Sequence, residues 1–245
     1  MRVRALLAAA ALVIALPGTL SGAQGFPHPA DSFVKDLPAG GLAIPLINSG
    51  DLFDGTTFEG IPDGLGIMPV ANGKKQIDIF VNFEQSHVPF GGFADHEDSL
   101  VQRARLDLAT QQLVQLQTML PPSAGLIRFC SANMVGPDQG FKDYTFLTNE
   151  ESNDVLTVQP GQPYGADPGV SPYRQAGYSV YLDASSGAFK TIASAGRMNH
   201  ENTLVVPGGW SDVVALTGDD TFSAPSSQLY QYSASSPGTT PSAVQ

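Results

Sequence analysis

Three segments of the chain place a glutamate two residues after an asparagine: Asn82-Phe83-Glu84, Asn149-Glu150-Glu151 and Asn199-His200-Glu201. Each follows an apolar or strand-like lead. Carboxylates brought to one place repel one another unless a cation lies between them. Hard oxygen donors of this kind select Ca²⁺, Mg²⁺ or Mn²⁺, and they also hold iron. Asparagine adds a neutral oxygen or a hydrogen bond that orients its glutamate. Glu84, Glu151 and Glu201 are therefore candidate metal ligands. Glu150 competes with Glu151 for the same role, and the sequence leaves open which of the two points inward. The plainer alternative is that all are solvated acids at strand ends.

Further groups lie close to these in sequence. Asp219-Asp220 follows Thr217-Gly218, which suits either a metal loop or a simple turn. His200 can ligate a metal, bind a phosphate or serve as a structural group. Arg197 and Arg128 can each hold an anion through a bidentate fork, or lie on the surface. Cys130 is the only cysteine. It cannot close an internal disulfide, which leaves a small buried hydrophobe or a metal-binding thiolate. Zinc spacing, a phosphate-binding Walker loop, a dinucleotide glycine pattern and a Gly-x-Ser-x-Gly elbow are all absent from the sequence.

The elements that must position these groups are short. Of 245 residues only 14% are charged, whereas Gly (26) and Pro (19) are abundant, a composition suited to strands joined by many turns. The formal net charge of −11 excludes nucleic acid and anionic membrane as partners, because phosphate contact needs clustered Lys and Arg. Strands are expected at 76–82, 100–106, 125–129, 144–148, 177–182, 189–192, 203–206, 213–216 and 228–232. A short helix within 106–120 competes with a turn between two strands. Leu106-Asp107 and Leu182-Asp183 each end a strand and enter a turn, and they alternate with the Asn-x-Glu copies. Such recurrence is the mark of a repeated supersecondary unit. The interval between the first two copies is the longer, which places an insertion at residues 131–143.

Arg2 and Arg4, the apolar run 6–16 and Ser21-Gly22-Ala23 read as a signal peptide over 1–23, which implies a secreted or extracytoplasmic protein. Residues 24–73 read as an irregular N-terminal arm with one or two strands, 74–233 as the repeated β-units, and 234–245 as a disordered tail.

At these residues the sequence resembles the exported PhoX-type alkaline phosphatases and their β-propeller relatives. The likeness lies in Asn82-Phe83-Glu84, in Cys130-Ser-Ala-Asn133 followed by Phe146-Leu-Thr-Asn-Glu150-Glu151, in Gly196-Arg-Met-Asn-His-Glu201, and in Gly218-Asp-Asp220 followed by Gln228-Leu-Tyr230. It implies an all-β propeller of four-stranded antiparallel blades holding calcium and iron (Ca²⁺, Fe³⁺) at its channel. About three blades are legible, against the 4–8 that close a ring, so the propeller expected here is incomplete. The resemblance makes Cys130 a candidate iron ligand, Glu150, Glu151 and Glu201 candidate metal ligands, and Arg197 a candidate phosphate clamp. From the residues themselves, Glu84, Asp219 and Asp220 join the candidate metal ligands and His200 joins Arg197 as a candidate catalytic group. The implied activity is metal-dependent hydrolysis of a small phosphate monoester, with no membrane partner after signal cleavage. The alternatives are a non-catalytic calcium-binding module or a fragment without activity.

Overall fold

The computed structural model describes residues 38–41, 43–71, 75–84, 99–152, 155–157, 173–208, 213–221 and 225–234. The expected leader at 1–23 and residues 235–245 of the expected tail lie outside them. The described residues form fifteen strands and three short 3-10 turns, with no α-helix. The strands are β1 (Leu52–Phe53), β2 (Thr56–Thr57), β3 (Pro62–Pro69), β4 (Gln76–Phe83), β5 (Val101–Asp107), β6 (Gln112–Leu120), β7 (Phe129–Val135), β8 (Thr145–Glu150), β9 (Val155–Thr157), β10 (Tyr173–Gln175), β11 (Ser179–Asp183), β12 (Phe189–Ile192), β13 (His200–Val205), β14 (Val213–Asp219) and β15 (Leu229–Ala234).

Three antiparallel sheets carry the fold, ordered β3-β4-β5-β6, β7-β8-β11-β12 and β13-β14-β15. We call them the first, second and third sheets. Two small hairpins, β1-β2 and β9-β10, complete the set. The Leu-Asp turns occupy matching places. Asp107 Oδ1 accepts the amides of Ala109 (2.9 Å) and Thr110 (3.1 Å), and Asp183 Oδ1 accepts those of Ser185 (3.0 Å) and Ser186 (2.7 Å). Each aspartate thus caps the turn between the third and fourth strands of its sheet.

Several expectations change. The helix option within 106–120 is excluded, since β5, an aspartate-capped turn and β6 fill that stretch. Residues 125–128 lie outside regular structure, and the strand expected there begins at Phe129. Pro62–Pro69, read as part of the irregular arm, is the edge strand of the first sheet. The insertion expected at 131–143 is not there, because residues 131–135 belong to β7 and Pro137–Gln139 form a 3-10 turn. Residue 234, assigned to the tail, ends β15.

The sheets stack face to face. Phe80, Val101 and Leu120 of the first sheet pack with Phe129, Phe146, Val180 and Leu182 of the second. Val135, Leu147 and Tyr181 of the second pack with Val205, Val213 and Ala215 of the third. A small void of about 50 Å³, lined by Leu147, Tyr181, Ile192, Val205 and Tyr232 among others, remains in this second junction. Ile47, Phe53 and Phe58 cover the other side of the first sheet, over Val81, Phe83, Leu100, Ala104 and Leu116. Strand β3 lies hard against the second sheet because it carries glycine there. A Cβ on Gly64 would stand 2.5 Å from the Ala132 amide nitrogen, and one on Gly66 would stand 2.7 Å from the Phe146 ring.

One buried side chain ties β3, β4, β7 and β8 together. Asn82 is fully buried; its Oδ1 accepts the Gly64 amide (2.6 Å), and its Nδ2 donates to the Ser131 carbonyl (3.0 Å) and the Thr148 hydroxyl (2.7 Å). Asn82→Ala leaves these partners without water to replace the amide, so we expect a loss of about 2–4 kcal/mol in urea unfolding. A loss below about 0.5 kcal/mol would show that the clip is dispensable.

Candidate metal centre

The inner strands of the three sheets break their ladders at the same place. On β3, Pro62 pairs with Phe83 and Leu65 with Val81. On β7, Phe129 pairs with Glu150 and Ala132 with Thr148. On β13, His200 pairs with Asp219 and Thr203 with Thr217. In each case two residues face one, the geometry of a β-bulge, which re-aims the bulged side chain. The first bulged residues are Asp63, Cys130 and Glu201. The residues just past the partner positions are Glu84, Glu151 and Asp220. The structural repeat therefore differs from the one read in sequence. Asn82-x-Glu84 and Asn149-x-Glu151 are equivalent, but the third counterpart is Gly218-Asp219-Asp220. Glu201 occupies the place of Asp63 and Cys130.

These six groups converge. The Cys130 thiol donates towards Asp63 Oδ2 (3.4 Å) and Glu201 Oε1 (3.7 Å). Asp63 shares a hydrogen bond with Glu84, and Glu151 shares hydrogen bonds with Cys130 and Asp220. The backbone holds Glu151 and Asp220 in place: Glu151 N–H donates to the Arg128 carbonyl (3.0 Å), Asp220 N–H donates to the Asn199 carbonyl (2.9 Å), and Glu151 bridges to Asn199. Asn149 donates to the Glu201 carbonyl (2.9 Å), as Asn82 does to Ser131 one sheet earlier.

The protonation states follow from crowding. Burial, a hydrogen bond to Asp220 and the latter's charge push Glu151 up to about 7. Partial burial, the hydrogen bond to Glu84, and the charges of Glu84 and Glu201 push Asp63 up to about 6. Burial and then Glu151 raise the Cys130 thiol, which stays protonated. Among the described residues no three His, Cys, Asp or Glu side chains are already arranged to hold a metal ion. The donor set of carboxylates with a single thiol nonetheless has the chemistry of a hard-cation site.

Glu150, Asp219, His200 and Arg197 are engaged elsewhere. Glu150 is fully buried and accepts the amides of Ile127 (2.9 Å) and Tyr178 (3.1 Å), so it latches two segments together on the side of β8 opposite Glu151. Asp219 caps its own turn through the Thr221 amide (3.1 Å) and hydroxyl (2.7 Å). His200 is fully buried, with Nε2 beside the Gly196 carbonyl (3.2 Å) and Nδ1 beside the Thr217 hydroxyl (3.4 Å); burial lowers its pKa. Arg197 donates to the Ala176 carbonyl (3.1 Å) and lies over the Tyr178 ring at 3.3 Å. Arg128 is the basic group whose charge bears on Glu151. It holds a positive φ of 47°, rare for a side chain of this size, and its buried Nε has no hydrogen-bond partner among the described residues. Asp63 was not foreseen from sequence. The signal for it was its place in the first bulge, which depends on recognising Pro62–Pro69 as a strand.

Comparison with family models, with curated proteins and with solved structures finds no match.

The raised acids give a signed pH dependence. Glu151 and Asp63 keep protons in the folded chain that the unfolded chain, at 4.5 and 3.8, has lost. Their contribution to stability is full below those values and disappears as pH rises through about 7 and about 6. Asp63 is exposed, so solvent screens its share and buried Glu151 dominates. In chelator, Glu151→Gln should flatten the fall of the unfolding midpoint between pH 4.5 and 7. A variant and parent with parallel profiles would contradict this account.

Proposed function

We propose that the chain is an exported, cation-dependent phosphoesterase-like protein whose three stacked sheets are consecutive blades of a β-propeller. The observation that carries the reading is the threefold bulge, which sends Asp63, Cys130 and Glu201 to the same place as Glu84, Glu151 and Asp220. A calcium ion there would supply positive charge and polarise a phosphoryl oxygen. The chain's own groups set up the rest. Paired carboxyls release protons as a cation enters, Asn149 and the strand backbones fix their positions, and Arg128 stands beside Glu151 with an Nε–H to offer an anion. Arg128 thus takes the clamp role that the resemblance implied for Arg197. Iron is less well served, because neighbouring carboxylates oppose formation of the Cys130 thiolate that would favour it.

A second reading has its own support. The six groups come from all three sheets, so a bound cation would also staple the stack as a non-catalytic structural ion.

Calorimetric titration with Ca²⁺ should show binding that weakens at least ~10-fold in Glu151→Gln. Hydrolysis of p-nitrophenyl phosphate should be lost on chelation and in Glu201→Ala, and should fall about 100-fold in Arg128→Ala with calcium binding kept. Calcium binding without turnover would select the structural ion. The absence of calcium binding would end both readings.

A further inference from the structure

The repeat assigns each sheet a back, which packs on the sheet before it, and a front, which receives the sheet after it. On the fronts of the first and second sheets, Phe80 and Leu147 are buried two residues before the clipping asparagines. Leu216 holds the equivalent place on the third sheet and is 36% exposed. Opposite Asn82 and Asn149 stand Val101 and Ser179, both buried; opposite Gly218 stands Leu229, 75% exposed. Leu204, next to Leu216 across the ladder, is 53% exposed. Among the described residues, the third sheet thus carries an apolar front with no sheet upon it.

The other end of the stack has the complementary lack. Ala132 and Met134 of β7 pack on the first sheet, and Val205 of β13 packs on the second. Their equivalents on β3 are Leu65 and Ile67, which are 56% and 57% exposed. The segment carrying Ile47, Phe53 and Phe58 covers the outer part of this back but leaves the inner strand open. The chain therefore bears both halves of its own sheet-to-sheet junction, and no described residue fills either.

We propose that two copies of the chain dock reciprocally, the front of each third sheet on the back of the other's first sheet. The inference rests on the propeller reading above. The three sheets of the described residues are too few to close, but two copies bring six, within the range of 4–8 that does. The contact is heterologous, and with two-fold symmetry it closes rather than growing into a fibre. Gly218 stands where the internal junctions have their asparagine clips, so this joint is looser than they are and reversible with dilution.

Sedimentation velocity on the full chain should give a dimer that dissociates on dilution. Leu229→Asp and Ile67→Asp each place a charge in the joint, and each should weaken association at least ~100-fold. Leu65→Asp serves if Ile67→Asp does not fold, with circular dichroism as the check. An equimolar mixture of the two folded variants should recover part of the dimer, because one of its two joints is then intact. A chain monomeric at all concentrations overturns the proposal, and so does a dimer insensitive to Ile67→Asp, which would mean front-to-front pairing. Calcium titration on the same variants separates the two claims: binding by a strictly monomeric chain removes the dimer and leaves the cation site standing.

Discussion

A side-chain amide set opposite a two-for-one bulge is the constraint on which the rest of this structure depends. Asn82 and Asn149 each sit across from a bulge in their own sheet and reach the bulged segment of the next. The bulge turns an acidic or thiol side chain towards the shared space, and the asparagine fixes how far the next sheet lies from it. Position and chemistry are therefore set by one device. Gly64 completes it on β3, since its missing side chain lets the first bulge rest on the backbone of β7.

Crowding five carboxyl groups and a thiol into this space raises the proton affinities of Asp63, Glu151 and Cys130. Burial and the neighbouring Glu84 hold Asp63 above the usual carboxylate range, and burial and Asp220 do the same for Glu151. Arg128 contributes the opposing charge. Its left-handed backbone is a local strain of about 1–3 kcal/mol, of a kind that gathers at working sites. Adjacent Glu150 shows what a carboxylate does when no such work is asked of it: two main-chain amides hold it, and it braces the loop before β7 against the segment before β11.

Much of this was legible in sequence, and the failures have physical causes. Most strands from Gln76 onward announce themselves by alternation and β-branched residues, but the short β9 and β10 were not read, and β7 starts where the strand expected at 125–129 was to end. The Leu-Asp turns were read correctly, because an aspartate capping the next two amides is a local event. Glu84, Glu151, Glu201, Cys130 and Asp220 were all selected, and all meet. The third Asn-x-Glu was misaligned because the pattern matches composition rather than register: Asn199 precedes an inner strand, whereas Asn82 and Asn149 lie on second strands. One or two strands were expected in the arm, but β3 was not placed there because Pro62, Gly64, Gly66 and Pro69 suppress strand propensity. Those glycines are there for close packing, which is invisible before the partner sheet is known. His200 and Arg197 drew attention by residue type, but burial and stacking are properties of their surroundings.

The six groups span residues 63 to 220, and the thiol contacts alone bridge 67 and 71 positions of chain. No short peptide from this protein can gather them. An ion bound at this site would grip only after all three sheets had docked, too late to guide the search that brings them together. Its influence would fall on escape from the native state rather than on arrival, lengthening the lifetime of the folded molecule while leaving its rate of formation nearly unchanged.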